Sequence, residues 1–480
     1  MKNEGVSYKQ IVKTTGIYGS SQLVNVAIGI LRSKLTALLI GTVGIGIIGL
    51  LQSVIDLSRS ATGLGLDMGA TKKIAVTDAY SAGDLPKTLF IVNVWYVFTA
   101  ILGALFCIVF ARPLSIRAFG NTDFEAHIAV LSIAVLFVTL TGGLISSLQG
   151  LRKIAYMALA SSIGSLVSLV VAIPLYYYLR LDGIILVFVV SNLMVFLVSL
   201  FFYGKIEVRY EKISLREVWH NGRGMVRLGL YIVLGGMLSA VSLFAVRSYI
   251  SREAGVDEVG LFQAAWLTSF LISGLVLRSA NSDFFPKLCS LIDDRSDVRR
   301  FVNEQTYIIL LIISPLIIGL FAFGEYVIYL LYTSDFVIST QTFRWHLAAI
   351  FLKMASTPAA MVILAANRGR LHFVCEAVFW LVYLFACYFL YQTSGLEGTG
   401  MAFLAAYVVY VPVVLIAAGR VSDVRWGGSV SVILLINIVL LAVLLFVSEF
   451  YSSYTLLLGA LFFGVTLVAS FVRLRLLVLK

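Results

Sequence analysis

Arg32-Ser33 lies deep in the first apolar segment of the chain, and the same pair recurs as Arg247-Ser248, 215 positions later, in an equally apolar segment. Four further pairs keep this offset or differ from it by a few residues: Leu175-Tyr176 with Leu390-Tyr391, Leu181-Asp182-Gly183 with Leu396-Glu397-Gly398, Gly49-x-x-Gln52 with Gly260-x-x-Gln263, and Thr122-Asp123-Phe124 with Ser334-Asp335-Phe336. A hydrophobic chain that repeats itself about halfway, with a cation at matching places in its apolar segments, is typical of a two-lobed transporter.

Composition predicts an all-α integral membrane protein. Of the 480 residues, 60% are hydrophobic and 13% are charged, which is more apolar surface than a soluble protein can bury. At about 20 residues per spanning helix, the apolar segments predict about 14 transmembrane helices. We expect no cleavable signal peptide, because residues 1–13 are polar and basic and the apolar stretch that follows is too long.

The repeat divides these helices into two pseudo-symmetric lobes of six and two helices outside the repeat. We predict an N-terminal six-helix lobe at 1–204, a basic cytoplasmic linker at 205–227, a C-terminal six-helix lobe at 228–420 and two additional transmembrane helices at 421–480. An even number of spans per copy makes the repeat parallel, with the lobes related by an axis along the membrane normal.

The net charge of +11 favours a membrane surface over nucleic acid, because the cations are unevenly distributed among the loops. With the N-terminus inside, the inside loops and the C-terminal tail hold most of the loop cations, including the six between Lys205 and Arg227. The outside loops hold four: Arg112, Arg117, Arg180 and Arg252. This asymmetry follows the positive-inside rule, so we predict that both termini are cytoplasmic and that the excess charge meets anionic lipid.

The first span carries a polar stripe along one helix face. Its members follow each other by three or four residues: Thr14, Tyr18, Ser21, Asn25, Gly29 and Arg32. Polar atoms in lipid need partners, so we expect this face to point into the protein or into water. Arg32 and Lys34 make the face cationic, although Arg32 could instead lie at the end of the span and snorkel to the outer interface.

Other spans add polar residues to the predicted cargo site. The second span contributes Gln52, Asp56 and Arg59, and an Asp56–Arg59 ion pair along the helix is expected. In the second copy, Arg247 and Gln263 match Arg32 and Gln52. The tenth span aligns Thr342, His346, Lys353 and Thr357 on one face, and Lys353 lies far from both ends.

Cations outnumber acids within the spans. No Asp or Glu lies between Glu4 and Asp56, and Glu376 is the other acid well inside a later span. The intramembrane cations are Arg32, Lys34, Arg59, Arg247, Arg344 and Lys353. A cavity so lined favours an anion such as phosphate and repels a cationic drug. Asp56 and Glu376 are candidates for coupling to H⁺ or Na⁺.

Motifs for catalysis, metal binding and nucleotide binding are missing from the sequence. The four Cys and four His residues are too scattered for a metal site, and no nucleophile–base pairing or phosphate-binding loop appears. We therefore predict a transporter without metal or cofactor, in which ATP is not the direct energy source. A membrane glycosyltransferase or glycan polymerase is disfavoured because the outside loops are short.

Three stretches of the sequence resemble a known family. The run Gly44-Ile45-Gly46-Ile47-Ile48-Gly49-Leu50-Leu51-Gln52 is similar to the entry into the second span of O-antigen translocases (Wzx-type flippases). Gly63-Leu64-Gly65-Leu66 and Lys72-Lys73-Ile74-Ala75 continue the likeness. With its predicted spans and repeat, the chain resembles the multidrug/oligosaccharidyl-lipid/polysaccharide exporter superfamily over most of its length.

This resemblance implies a V-shaped pair of lobes around a central cavity that opens alternately to each side of a bacterial inner membrane. The implied cargo is an oligosaccharide joined through pyrophosphate to a polyprenol, flipped from the cytoplasmic to the outer leaflet. We expect a monomer, because each lobe of the repeat already supplies the other with its partner. A glycan polymerase and a chain-length regulator are the implied pathway partners. Arg32 and Arg247 lie where such proteins tend to hold cavity cations.

The residues agree with this cargo. The cations suit the pyrophosphate, and the sugar hydroxyls are assigned to Tyr18, Asn25, Gln52 and Gln263. Two alternatives in the same superfamily remain open. A lipid-linked peptidoglycan precursor flippase would have the same fold and the same need for cations in its cavity. A cation-coupled multidrug antiporter would need buried carboxylates in the first lobe, and the first span has none.

Overall fold

Helices joined by short connections form the part of the chain that the computed structural model describes, residues 8–206 and 213–478. Within these ranges the description leaves out the side chains of 8–20, 82, 215, 220, 221, 223, 224, 226–232, 272, 273, 275–283 and 478. Apolar segments become helices because in hydrocarbon every backbone N–H and C=O must find its partner within the protein.

We number the described helices in chain order. The first nine are α1 (Tyr8–Thr62), α2 (Leu66–Tyr80), α3 (Leu85–Val109), α4 (Ala111–Phe119), α5 (Glu125–Gly150), α6 (Ile154–Leu179), α7 (Gly183–Gly204), α8 (Leu215–Ala254) and α9 (Val256–Leu291). The next six are α10 (Arg295–Ala322), α11 (Gly324–Leu331), α12 (Thr340–Ala365), α13 (Gly369–Ser422), α14 (Gly428–Phe450) and α15 (Ser452–Val478).

Ten stretches of the described residues are long and apolar enough to cross a membrane. Three of them contain 42, 51 and 54 residues (Ser21–Thr62, Ile154–Gly204 and Gly369–Ser422). Each is about twice the 20 residues or so that one crossing needs. The predicted class, an all-α protein with many spans, is therefore confirmed, and the count of 14 spans stays a prediction.

Breaks within the long helices repeat at the offset found in the sequence. Gly41 interrupts α1 with φ 66° and ψ −165°, and Gly255 separates α8 from α9 with φ 93° and ψ 172°. Both conformations are accessible to glycine and strained for other residues. Two further positive-φ pairs, Arg152 with Asn367 and Arg180 with Gly395, are each 215 residues apart. The two halves therefore break their helices at matching positions, as an internal repeat requires.

Contacts group the chain into two compact units, residues 1–259 and 260–480. In the first unit α1 packs against α6 and α8, α3 against α5, and α6 against α7. The boundary assigns α8 and the first residues of α9 to this unit, whereas the repeat predicts that the second lobe begins at residue 228. The predicted boundaries at 204, 227 and 420 stay predictions.

In the second unit α12 packs against α13 and α10, while α14 and α15 pack on α10.

Asp294 caps the first turn of α10, where it accepts hydrogen bonds from the Ser296 hydroxyl and from the backbone N–H groups of Ser296 and Asp297. These bonds stabilise the carboxylate and lower the pKa of Asp294.

Gly46 provides a test of the packing at the first helix break. A Cβ at Gly46 would lie 1.9 Å from the carbonyl oxygen of Val256, whereas a Cβ at Gly29, in the same helix, would meet nothing within 4 Å. We expect Gly46→Ala to lower the free energy of unfolding by about 1–3 kcal/mol through overpacking. Gly29→Ala should leave it unchanged or raise it slightly. Unfolding in mixed detergent–SDS micelles measures both, and a Gly46→Ala protein as stable as wild type would contradict the predicted close contact.

Candidate functional site

The first unit contains a polar cavity of about 490 Å³ that we call the Asp67 chamber. Residues from the end of α1, the start of α2, α3, α5 and one face of α8 line it. Its polar lining residues are Asp56, Arg59, Ser60, Asp67, Tyr96, Thr99, Thr139 and Ser239. The remaining lining residues are small or apolar: Gly63, Gly65, Leu66, Met68, Val233, Gly236, Ala240 and Leu243.

One hydrogen-bonded network forms a wall of this chamber. The Tyr96 hydroxyl donates to Oδ1 of Asp67 at 2.7 Å and lies 3.0 Å from the hydroxyl of Ser146. Nη2 of Arg59 lies 3.6 Å from Oδ2 of Asp67, so the two residues form an ion pair. The Asp67 side chain keeps 66% of its surface exposed, which leaves carboxylate lone pairs available to a ligand.

A second set of contacts joins α1 to α8 beside the chamber. Arg247 is buried, and its Nη1 donates to the Ser53 hydroxyl at 2.5 Å. Gln52 donates to Oδ1 of Asp56 at 2.9 Å, one turn further along α1. Asp56 also lies within electrostatic range of Arg247 and Arg59. This half-buried carboxylate is therefore held by an amide and by two positive charges.

Distance from the helix breaks gives the depth of each residue in its span. At about 1.5 Å per helical residue, Arg32 lies about 14 Å before Gly41 and Gln52 about 17 Å after it. Arg247 lies about 12 Å before Gly255. With the helix breaks taken as the turns at the membrane surface, these three residues are expected near the middle of a hydrocarbon layer of about 30 Å. Arg59, about 27 Å from Gly41, is then expected near the opposite end of the span.

The first segment of α1 directs its polar face toward α6. Asn25 donates to the Ser161 hydroxyl at 3.1 Å, and seven residues later Arg32 donates to the Ser168 hydroxyl. Both serines are on α6 at the same seven-residue spacing, so the two helices contact each other along matching faces. Lys34 is half-buried on the same segment. The side chain of Tyr18 lies outside the described residues.

Arg32 has a neutral partner, which distinguishes it from two other span arginines. Among the described residues, no carboxylate lies within ion-pair distance of Arg32, and its partner is the Ser168 hydroxyl. Arg59 pairs with Asp67, and the buried Arg344 pairs with Glu325 at 3.5 Å. The positive charge of Arg32 is therefore not neutralised by a neighbouring acid in the described part of the chain.

In the second unit Lys353 lies midway along α12, about 18–20 Å from either end at 1.5 Å per residue. Its Nζ sits 4.5 Å from the centroid of the Phe270 ring, a cation–π distance, and it interacts electrostatically with Glu376. Tyr410 donates to Oε1 of Glu376 at 2.8 Å. The structure thus brings together Lys353 and Glu376, which the sequence listed under separate roles.

His346 and Gln263 are buried in this conformation. His346 has no exposed surface and meets Phe262, Trp266 and Phe403 edge to face. Gln263 is 3% exposed. Both residues were predicted to contact cargo, and that role stays a prediction.

The structure corrects one predicted contact and adds residues that the sequence did not single out. The expected Asp56–Arg59 ion pair is replaced by Arg59–Asp67, with Gln52 as the hydrogen-bond partner of Asp56. The added residues are Ser53, Asp67, Tyr96, Ser168, Phe270 and Tyr410. Most of them lie on a different helix from the predicted residue that they contact. The spacing of residues along one helix cannot predict a partner on another helix. Within the described residues, no group of three or more His, Cys, Asp or Glu side chains could hold a metal ion.

Comparison with known proteins identifies relatives that are transporters. A family model described as "Polysaccharide biosynthesis protein" matches residues 35–341. The lipid III flippase of Escherichia coli (strain K12) is 24% identical over 397 residues, which cover 82% of this chain and 94% of that protein. The relatives and similar structures found are flippases and transporters, not enzymes.

Solved structures share the fold. The lipid II flippase MurJ in an inward closed conformation has a TM-score of 0.69 at 15% identity, covering 97% of this chain and 100% of that one. An inward-facing multidrug resistance MATE family transporter of the MOP superfamily has a TM-score of 0.65 at 17% identity, covering 84% and 94%. At these identities the likeness establishes the fold alone.

The Arg247–Ser53 contact can be measured by a double-mutant cycle. Arg247→Met leaves the buried Ser53 hydroxyl and the nearby Asp56 carboxylate without their cation, so we expect a loss of about 1–3 kcal/mol in the free energy of unfolding. Ser53→Ala should cost less. The two losses should be non-additive by about 1 kcal/mol, as for neighbouring groups in one network. Strict additivity in mixed detergent–SDS micelles would show that the two side chains do not interact.

Proposed function

The chain belongs to the polysaccharide biosynthesis protein family, and from this membership we propose that it is a flippase for a polyprenyl-pyrophosphate-linked oligosaccharide. The cargo is an O-antigen unit or a related surface glycan unit. It moves from the cytoplasmic to the outer leaflet of a bacterial inner membrane by alternating access. The names of the relatives support this class of cargo, since the curated relative and one structural neighbour are both lipid flippases.

The observation that carries the proposal is the cation on the first span. Arg32 is near mid-span, and its described partner is the neutral Ser168 hydroxyl. Keeping a guanidinium at that depth costs a few kcal/mol even on the mildest scales, so it is usually retained for a use. A pyrophosphate can accept two parallel N–H bonds from a guanidinium. Lys34, Arg247 and Lys353 are the further proposed cations for the pyrophosphate.

The uncharged parts of the cargo need other partners. Asn25 lies two turns before Arg32 on α1, Gln52 follows the break at Gly41, and both offer amide groups to sugar hydroxyls. Arg59 is largely neutralised by Asp67, so we assign it to the glycan rather than to the pyrophosphate. The many apolar side chains exposed on the spans provide a surface for the polyprenol.

The remaining parts of the proposal concern topology and partners. Both termini are proposed to be cytoplasmic, with the basic loops against anionic lipid. The working unit is proposed to be a monomer, since each copy of the repeat supplies the other with its partner. A glycan polymerase and a chain-length regulator would act on the flipped product.

Two alternatives share the fold. A lipid-linked peptidoglycan precursor flippase is favoured by the match to the lipid II flippase, which spans nearly the whole of both chains. A cation-coupled antiporter is favoured by similarity to multidrug transporters. The antiporter explains Arg32 less well, because a cationic drug would be repelled by an arginine without an acidic partner in the described chain.

Lipid mass spectrometry on cells depleted of the protein tests the function directly. With the upstream glycan pathway still running, we expect a polyprenyl-pyrophosphate oligosaccharide to accumulate, and its mass identifies the cargo. Accumulation of a peptidoglycan precursor would support that alternative instead. Unchanged lipids and unchanged envelope glycan would contradict a flippase of either kind.

Arg32 variants in the same depleted cells test the site. Arg32→Gln should lower flipping at least tenfold, because loss of a charged hydrogen bond costs roughly 1.5–3 kcal/mol. Arg32→Lys keeps the charge but loses the paired N–H geometry of the guanidinium. Its flipping rate should therefore lie between those of Arg32→Gln and wild type. Arg300→Gln, at an exposed ion pair on α10, is the matched control and should flip normally. Wild-type activity in Arg32→Gln would remove this residue from the site.

The membrane potential is the proposed driving force. An anionic head moving outward from an electrically negative interior gains about 2.3 kcal/mol per charge for each 100 mV. Collapsing the potential with a potassium ionophore should therefore slow flipping in proteoliposomes. Flipping that persists without a potential, but stops when a H⁺ or Na⁺ gradient is removed, would instead assign coupling to Asp56 or Glu376.

A further inference from the structure

The Asp67 chamber has two walls of different chemistry. On one side lie Arg59, Asp67 and Tyr96, joined by the ion pair and the hydrogen bonds described above. On the other side, α8 presents a face of small and apolar residues that includes Val233, Ala240 and Leu243. A pyranose ring has the same division, because its edge carries hydroxyl groups and its faces expose C–H groups.

The polar wall offers mainly hydrogen-bond acceptors. The Thr99 hydroxyl donates to backbone carbonyl oxygens of α3, and the Thr139 hydroxyl donates to Val135 O, so their remaining lone pairs can only accept. Asp56 and Asp67 add carboxylate acceptors, while Arg59 supplies donors. An array of acceptors suits a ligand with many O–H or N–H donors. It suits phosphate poorly, because two carboxylates face one guanidinium.

Glycines of α5 shape the site around Tyr96. A Cβ at Gly143 would lie 2.7 Å from the Tyr96 ring, too close for a rigid aromatic side chain to tolerate. A Cβ at Gly142 would lie 3.4 Å from Oδ1 of Asp67 and 3.5 Å from Nη2 of Arg59, in contact with both partners of the ion pair. Gly143 therefore leaves room for the Tyr96 ring, and the absence of a side chain at Gly142 leaves space beside the Arg59–Asp67 pair.

From this geometry we infer that the Asp67 chamber is a pyranose-binding subsite, in which Asp67, Tyr96 and Arg59 bind the hydroxyl edge of one sugar of the cargo and select it. The inference rests on the proposed flippase function for the identity of the cargo. Its volume of about 490 Å³ lies within the 300–1,000 Å³ or so of small-molecule sites, so it holds part of an oligosaccharide and not the whole. A neutral or an amino pyranose fits, since the acceptors take either O–H or N–H donors.

Saturation-transfer NMR on the full-length protein in detergent tests the subsite with soluble probes, methyl glucoside and methyl glucosaminide. We expect a saturable signal from at least one probe with wild type. Asp67→Asn and Tyr96→Phe should each weaken it about tenfold or more, the loss expected when a charged hydrogen bond is disrupted. Tyr96→Phe keeps the ring against Gly143, so loss of signal in that variant does not reflect a collapsed fold.

Two matched controls remove the same groups elsewhere. Asp84→Asn removes the carboxylate of an exposed ion pair with Lys87, and Tyr156→Phe removes a hydroxyl from a ring that packs on Phe202. Both should keep the wild-type signal. Absence of a saturable signal in wild type, or equal signals in Asp67→Asn, Tyr96→Phe and wild type, would overturn the inference. Preferential binding of tetraphenylphosphonium to the same residues would also overturn it, because that cation has no donors.

The binding test is independent of transport. If the glycosides bind through Asp67 and Tyr96 but no lipid-linked oligosaccharide accumulates on depletion, the flippase proposal fails and the subsite stands. If the lipid accumulates but glycoside binding is unchanged in Asp67→Asn and Tyr96→Phe, the subsite inference fails and the flippase proposal stands.

Discussion

Hydrocarbon supplies no hydrogen-bond partners, and this constraint determines how each charged residue within the spans is held. The structure meets it in three ways. Arg59 and Arg344 are paired with acids, Arg32 donates to a serine hydroxyl, and Lys353 lies over an aromatic ring and interacts with Glu376. Arg247 donates to the Ser53 hydroxyl and also lies within electrostatic range of Asp56. An acid offsets the charge of its partner, whereas a hydroxyl stabilises the group and leaves its net charge in place. The kind of partner therefore distinguishes Arg32, whose described partner is neutral, from the cations that lie near an acid.

The internal repeat explains where the long helices break. A helix that turns back at the membrane surface needs a residue with positive φ or a short irregular connection, and the chain places these at Gly41 and Gly255, at Arg152 and Asn367, and at Arg180 and Gly395. The matching offsets arise if one arrangement of helices and turns was duplicated. The side chains diverged more than the backbone, because Asn25 and Gly29 in the first copy correspond to Ala240 and Phe244 in the second.

Sequence reasoning predicted the class, the repeat and the polar face of α1, because each depends on a period or an offset along the chain. The seven-residue step from Asn25 to Arg32 did indicate a face with partners in the protein, and α6 provides them. The partners themselves were not predictable. Arg59 was assigned to Asp56 as a near neighbour on its helix, yet it pairs with Asp67 on α2. His346 matched a polar stripe, but three aromatic rings from other parts of the chain enclose it.

The identity of the Arg32 partner also bears on how a flippase could release its cargo. A carboxylate beside Arg32 would have to be displaced by the pyrophosphate and left unpaired at mid-span, which costs several kcal/mol. Displacing the Ser168 hydroxyl costs much less, since a serine can return its proton to a backbone carbonyl of its own helix. The same hydroxyl can re-form its bond with Arg32 when the cargo leaves. In the proposed flippase, a neutral partner would therefore stabilise Arg32 when the site is empty and keep the proposed anion binding reversible, as alternating access requires.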